Sequence, residues 1–278
     1  MIAPYLALMK LRVVELLLVT TLPALFLASD GVPDLTITLA TLIGGTLAAG
    51  AANAFNMVIE SDIDRVMSRT SKRPIVNELI SEERALVFAY LISVISLIIF
   101  WIFTNPLATG LTVAAIAFYV FGYTVGLKRR TSQNIVWGGI AGCLPVLIGW
   151  SAVTGALSWT AFWFFMVIFF WTPPHFWALA IKYRDDYAAA GIPMLPVVAT
   201  KEEVSKQSWF HTIAMIITSL LTLYSAGFPL WSYLVTLLMG IVFAWQLRDM
   251  EGNSGRIFNG SITYLSLFSI FLVIGSLR

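Results

Sequence analysis

Between residues 53 and 74, NAFNMVIESDIDRVMSRTSKRP, an apolar run passes into a dense set of amides, carboxylates and cations. Asn53, Asn56, Glu60 and Asp64 are spaced three, four and four apart, so on a helix that continues through them they share one face. Hard oxygen ligands in such a row suit Mg2+, which takes few protein carboxylates and fills its octahedron with water and phosphate oxygens. Arg69, Lys72 and Arg73 follow, and guanidiniums placed there can clamp a diphosphate bidentately. The implied ligand has a phosphate head and an apolar tail. The same residues would also serve as an interfacial ion-pair network that ends a helix. Asp62 falls off the stripe.

Three further groups carry polar chemistry. Lys182, Tyr183, Arg184, Asp185, Asp186 and Tyr187 form a second acid-and-base cluster. Adjacent aspartates cannot share one helical face, so one is free to take a metal while the other pairs with Arg184 or Lys182; a solvated turn is the plainer reading. In WTPPHFW, residues 171–177, Pro173 and Pro174 free backbone carbonyls and kink a helix, which a membrane tolerates where the groups are re-satisfied or line a cavity. His175 within it could ligate a metal, carry a proton or simply bond a freed carbonyl. Lys128, Arg129 and Arg130 suit either a phosphate or a topological stop.

These groups need an apolar scaffold, and the composition supplies one. Of 278 residues 59% are hydrophobic and 12% charged, about half the charged share of a soluble domain. The expectation is an all-α integral membrane protein, a single transmembrane domain over 1–278. The net charge of +2 gives no case for a nucleic-acid partner, and Cys143, the lone cysteine, makes thiol or cysteine-metal chemistry improbable. Runs of the length a bilayer requires fall near 13–29, 36–59, 86–104, 107–126, 135–154, 159–181, 208–226, 229–247 and 259–277, predicting nine spans.

Alternate connections divide sharply by charge: those at Asp30–Asp34, Thr104–Pro106, Thr154–Ser158 and Ala226–Pro229 carry no Lys or Arg, whereas every basic residue except Arg278 falls on the other side. The positive-inside rule puts the N-terminus and the long loops 60–84 and 182–206 in the cytoplasm and the C-terminus outside. With no amphipathic, Arg-rich presequence, the expected location is a bacterial plasma membrane, with the active site at its cytoplasmic side. Within 182–206, Thr200 and Glu203 form a capping box that predicts the start of a short helix. Gly44, Gly45, Ala48, Ala49, Gly50, Ala51 and Ala52 make the second span small-faced, suited to close backbone approach. Hydropathy alone also fits a transporter, but the charges gather at one membrane face and not at the midplane where transport sites are built.

The pattern Asn56-x3-Glu60-x2-Ile63-Asp64-x2-Met67-x-Arg69-Thr70-x2-Arg73 resembles the signature of the UbiA superfamily of intramembrane prenyltransferases. Within it the likeness is to the protoheme IX farnesyltransferase, or heme O synthase, branch. It is carried by KLRVVELLLVTTLP at 10–23, YTVGLKRRTSQNIVWGGIAG at 123–142, LIGWSAVTG at 147–155 and WTPPHFWALAIKYRDDYAAAGIPMLP at 171–196. The sequence departs from the family pattern at Glu78, where glycine is usual, at Leu11, where proline is common, and at Glu60, where aspartate is usual. The resemblance implies a UbiA-type bundle that transfers farnesyl from farnesyl diphosphate to the 2-vinyl group of heme b. It implies catalytic residues Asn56, Glu60, Asp64, Asp185 and Asp186, with Mg2+ held by Asn56, Glu60, Asp64 and Asp185. Diphosphate would be bound by Arg69, Lys72, Arg73, Lys128, Arg129 and Lys182, and heme by His175, Trp171 and Trp177. A heme A synthase or a terminal oxidase assembly would receive the product. A prenyltransferase for an aromatic quinone precursor is the rival within the same chemistry.

Overall fold

The structure, a computed structural model, describes residues 2–277 and every side chain among them except those of residues 12, 13 and 15–18. All regular structure among the described residues is helical. The chain opens with α1 (Ala3–Met9) and α2 (Leu11–Ser29), parted by Lys10 at a left-handed φ of 50°. Next come α3 (Leu35–Ile59), α4 (Ser61–Val66), α5 (Glu82–Phe103) and α6 (Pro106–Ala117), the last running on as a π-helix over Phe118–Leu127. The second half holds α7 (Asn134–Gly138), α8 (Ile140–Thr154), α9 (Trp159–Lys182), α10 (Arg184–Ala189), α11 (Leu195–Val198), α12 (Lys201–Ser225), α13 (Leu230–Gln246) and α14 (Ser254–Ser276).

Side-chain caps set several of the starts. Asp34, Ser81, Asn105, Ser158 and Thr200 each accept a hydrogen bond from the backbone N–H three residues on, satisfying a donor the helix leaves open. Among the described residues, seven helices are long and apolar enough to cross a membrane: 35–59, 82–103, 106–127, 134–154, 159–182, 230–249 and 254–276. The two remaining predicted spans also lie on helices, the first on α2, where 12, 13 and 15–18 fall outside the described side chains, and the seventh on α12.

Close backbone approach organises the first half. A Cβ on Gly44 would lie 2.8 Å from the Phe100 ring of α5, and one on Gly50 would lie 2.6 Å from Cε of Met9. Ser96 Oγ donates to the Gly44 carbonyl at 2.7 Å across the same contact. The second half packs around α9, where Phe164, Val167, Ile168, Trp171 and Trp177 share a buried core with residues of α12, α13 and α14. A smaller cluster of Ile63, Met67, Ile135, Ala180, Tyr187, Ile192 and Met194 joins the segments that follow α3 and α9.

Two local expectations change. The apolar helix before the acid cluster is interrupted at Glu60 (φ −106°, ψ 17°) instead of running on unbroken. The helix capped by Thr200 is not short: α12 continues to Ser225, its polar first turns leading into the apolar run that begins at Trp209. The Glu203 carboxylate accepts instead from Gln207 Nε2, one turn on, at 2.7 Å. The sixth predicted span is α9, which runs through both Pro173 and Pro174 as one helix.

Candidate active site

The interruption at Glu60 preserves the polar stripe, because Glu60 N still donates to Asn56 O (3.0 Å) and Asp64 N to Glu60 O (2.9 Å). Asn53, Asn56, Glu60 and Asp64 are all buried, at 4%, 2%, 0% and 2% exposure. Buried charge is costly unless it is paired, and each buried acid has drawn a cation from elsewhere in the chain. Lys128 Nζ reaches Glu60 Oε2 at 2.5 Å, and Arg73 Nη1 reaches Asp64 Oδ2 at 2.5 Å. Lys10 Nζ donates to Asn56 Oδ1 at 2.8 Å. Burial, and then the nearby Arg73 guanidinium, pull the Lys10 ammonium well below the usual lysine range.

Asp62, on the other face of α4, is exposed and takes both Nη atoms of Arg129, at 2.8 and 2.9 Å. That guanidinium holds the Asp62 carboxyl below its ordinary value. Arg129, expected at the diphosphate, is thus committed to the outer face.

The segment after α9 meets this cluster from the side. Asp186 Oδ2 accepts from Ser68 Oγ (2.7 Å) and from Arg69 N (3.3 Å), and these bonds keep its carboxyl below the usual range. The Tyr183 ring lies under both the Arg69 guanidinium, at 5.9 Å, and Lys182 Nζ, at 5.5 Å. Burial raises the Tyr187 phenol. Asp185 and Lys72 are exposed, and Arg184 pairs with Glu251 in the connection before α14.

Among the described residues no group of three or more His, Cys, Asp or Glu side chains is placed to hold one metal ion. The candidate ligands Asn56, Glu60 and Asp64 line one helix face, while Asp185 stands apart from them at the surface. The donor set nevertheless fits a hard cation, since Glu60 Oε1 is buried without a hydrogen-bond partner, as is Oδ1 of Asn134 at the start of α7, whose Nδ2 donates to the backbone carbonyl of Lys128.

His175 lies deep in α9 at 4% exposure. Its ring is stacked between Trp171 (4.2 Å) and Phe258 (4.5 Å), and Nδ1 is 2.7 Å from Ser261 Oγ. Trp171 Nε1 donates to the Ser261 carbonyl at 2.7 Å, so α14 fixes both side chains. Trp177 is fully buried, edge-on to His211 at 5.4 Å.

Sequence reasoning missed Lys10 and Thr124 as members of the site. Lys10 had one usable signal, its place on the same basic side as the other cations. Thr124 had none, because only the π-helix aims it at Asn56, whose Nδ2 donates to its Oγ1 at 3.2 Å.

A protoheme IX farnesyltransferase of Clavibacter sepedonicus is 50% identical over 279 residues, covering 98% of this chain and 90% of that one. A solved digeranylgeranylglyceryl phosphate synthase superposes with a TM-score of 0.82 over 99% of this chain and 98% of that one, at 15% identity. A UbiA homolog from Archaeoglobus fulgidus, solved with DMAPP and Mg2+, gives a TM-score of 0.69 at 15% identity over 97% of this chain and 99% of that one. Residues 17–273 match the UbiA prenyltransferase family, and the chain belongs to that family.

Proposed function

We propose that the protein is a protoheme IX farnesyltransferase, joining the farnesyl group of farnesyl diphosphate to the 2-vinyl group of heme b and producing heme O. The observation that carries the diphosphate half is the buried stripe of Asn56, Glu60 and Asp64, matched by Lys10, Lys128 and Arg73 at the end of a membrane-spanning helix. The heme half rests on the near-full-length likeness to protoheme IX farnesyltransferases.

Breaking the allylic C–O bond sends its electron pair onto the diphosphate, and catalysis requires that this charge be met where it builds. Arg69, Arg73, Lys128 and Lys182 are the cations we assign to it. Mg2+, held by Asn56, Glu60 and Asp64 with Asp185 or Asp186 closing from the second loop, would supply Lewis-acid charge neutralisation there. The apolar bundle shields the farnesyl cation from bulk water until the vinyl carbon forms the new C–C bond. A water then adds at the remaining vinyl carbon with loss of a proton. The faces of His175 are covered by Trp171 and Phe258, so heme would meet its edge, with Trp177 behind as support.

The same reading makes the chain one domain of nine spans, with its N-terminus and active site at the cytoplasmic side of a bacterial plasma membrane. A heme A synthase or terminal oxidase assembly would take the product. Heme extracted from cells expressing the chain should contain heme O, absent from cells without it. Asp64→Asn should lower its formation by about a hundredfold or more, judged by the size of electrostatic contributions to such reactions. Undiminished heme O from the variant would remove Asp64 from the mechanism, and no heme O from the parent chain would remove the assignment.

A further inference from the structure

The π-helix over Phe118–Leu127 places one hydroxyl where no α-helix would. In an α-helix a threonine hydroxyl bonds the carbonyl three or four residues back. Here Thr124 Oγ1 donates at 2.9 Å to the carbonyl of Tyr119, five residues back. Thr124 is 1% exposed, and its Oγ1 lies 3.2 Å from the amide of Asn56 on α3.

The donors and acceptors allow only one orientation of that amide. A carbonyl can only accept, so the single Thr124 proton is spent on Tyr119 O and its oxygen faces Asn56 as an acceptor. The side of Asn56 toward Thr124 is therefore the NH2. On the other side stands Lys10 Nζ, which donates at 2.8 Å, so that side is the carbonyl oxygen. The two neighbours agree on the orientation, and where a cation takes the place of Lys10 only Thr124 remains to hold it. Asn53, one turn earlier, is held between the same elements: its Nδ2 donates to Met9 O at 3.1 Å, and its Oδ1 accepts from Tyr119 at 3.4 Å.

We propose that Thr124, aimed by the π-helix, is a positioning residue that turns the Asn56 carbonyl oxygen toward the cation site and prevents the amide from flipping to present NH2 there. The inference rests on the reading of Asn56 as a metal ligand. Lys10 holds that oxygen in this arrangement, and any divalent ion that shares or replaces the contact meets an acceptor already in place. A flipped amide would offer the ion two N–H donors.

The test is Mn2+ binding to the purified full-length protein, followed by electron paramagnetic resonance with farnesyl thiodiphosphate, an unreactive analogue, present throughout. Thr124→Val keeps the shape and removes the hydroxyl, leaving the buried Asn56 NH2 unpaired; Mn2+ affinity should fall about tenfold. Thr124→Ser should restore it. Should the valine variant not be recovered folded, Thr124→Ala serves the same comparison. Parental affinity in the valine or alanine variant, or a serine variant as weak as valine, overturns the proposal. Asn56→Ala separates the two layers: parental affinity there removes Asn56 as a ligand, whereas weak binding there with a normal Thr124→Val variant removes only the role of Thr124.

Discussion

The segments after α3 and after α9 each set carboxylates and cations just past a membrane-spanning helix, and the structure secures them by different physics. Glu60 and Asp64 are buried and held by Lys128 and Arg73 through ion pairs that water scarcely reaches. Asp186 sits near solvent and is held by a hydroxyl and a backbone N–H of the first segment, while Asp185 is exposed. Burial makes the first cluster depend on charged partners, Lys128 from 68 residues away for Glu60 and Arg73 from nine for Asp64. Exposure leaves the second free to move at little electrostatic cost. The first is therefore a fixed half of the site and the second an adjustable half.

Removing a cation from the fixed half should give the largest effect. Lys128→Met leaves Glu60, 0% exposed, without its partner and should destabilise the protein by about 3–5 kcal/mol. Adding Glu60→Gln removes the orphaned charge and should recover most of that loss. Thermal unfolding in detergent reads both. A single variant as stable as the parent would mean that Glu60 is hydrated and that the contrast between the segments is smaller than burial indicates.

Much of this contrast was legible in the sequence, and the missing part has a physical cause. The three-and-four spacing of Asn53, Asn56, Glu60 and Asp64 exposes a shared helix face, and the structure keeps that face across the break at Glu60. Side-chain periodicity reports the element a residue sits on. It does not report which distant cation answers a buried charge, so Lys128 with Glu60 and Arg129 with Asp62 could not be told apart from three consecutive basic residues. Thr124 was invisible for a related reason, since a π-helix has no hydrophobic signature that separates it from the α-helix it extends. The joined lengths of the Thr200 helix and the seventh predicted span show the opposite failure: the cap was readable, but the continuity behind it was masked by polar residues in the first turns.

The adjustable half should respond more mildly. Asp186→Ala removes the acceptor for Ser68 Oγ and Arg69 N, loosening Arg69 near the diphosphate position without leaving a buried charge. Turnover should fall about tenfold to a hundredfold through misplacement, with little change in unfolding temperature. Asp185→Ala alongside it sharpens the comparison. A stability loss as large as that of Lys128→Met would show that Asp186 belongs with the buried acids.

The smallest effect tests a feature that the two segments share. After α10, Gly191 N bonds Ala188 O and Ile192 N bonds Tyr187 O, the bond pair of a Schellman turn, with Gly191 at a left-handed φ of 64°. The first segment repeats it: Glu78 N bonds Ile75 O, Leu79 N bonds Pro74 O, and Glu78 holds φ 55°. Glu78 carries a Cβ at a left-handed φ that glycine adopts freely, so the first turn forms at the cost of strain. Left-handed backbone costs a residue with a Cβ about 1–2 kcal/mol, whereas glycine loses about 0.5–1 kcal/mol more conformational entropy on folding. The strain outweighs the entropy, and the exposed Glu78 side chain gives up little packing. Glu78→Gly should therefore stabilise the protein by about 0.5–1 kcal/mol, and Gly191→Ala should destabilise it by a similar amount. If both substitutions move the unfolding temperature in the same direction, the two turns are not equivalent, and the first segment is stiffer for a reason other than its buried ion pairs.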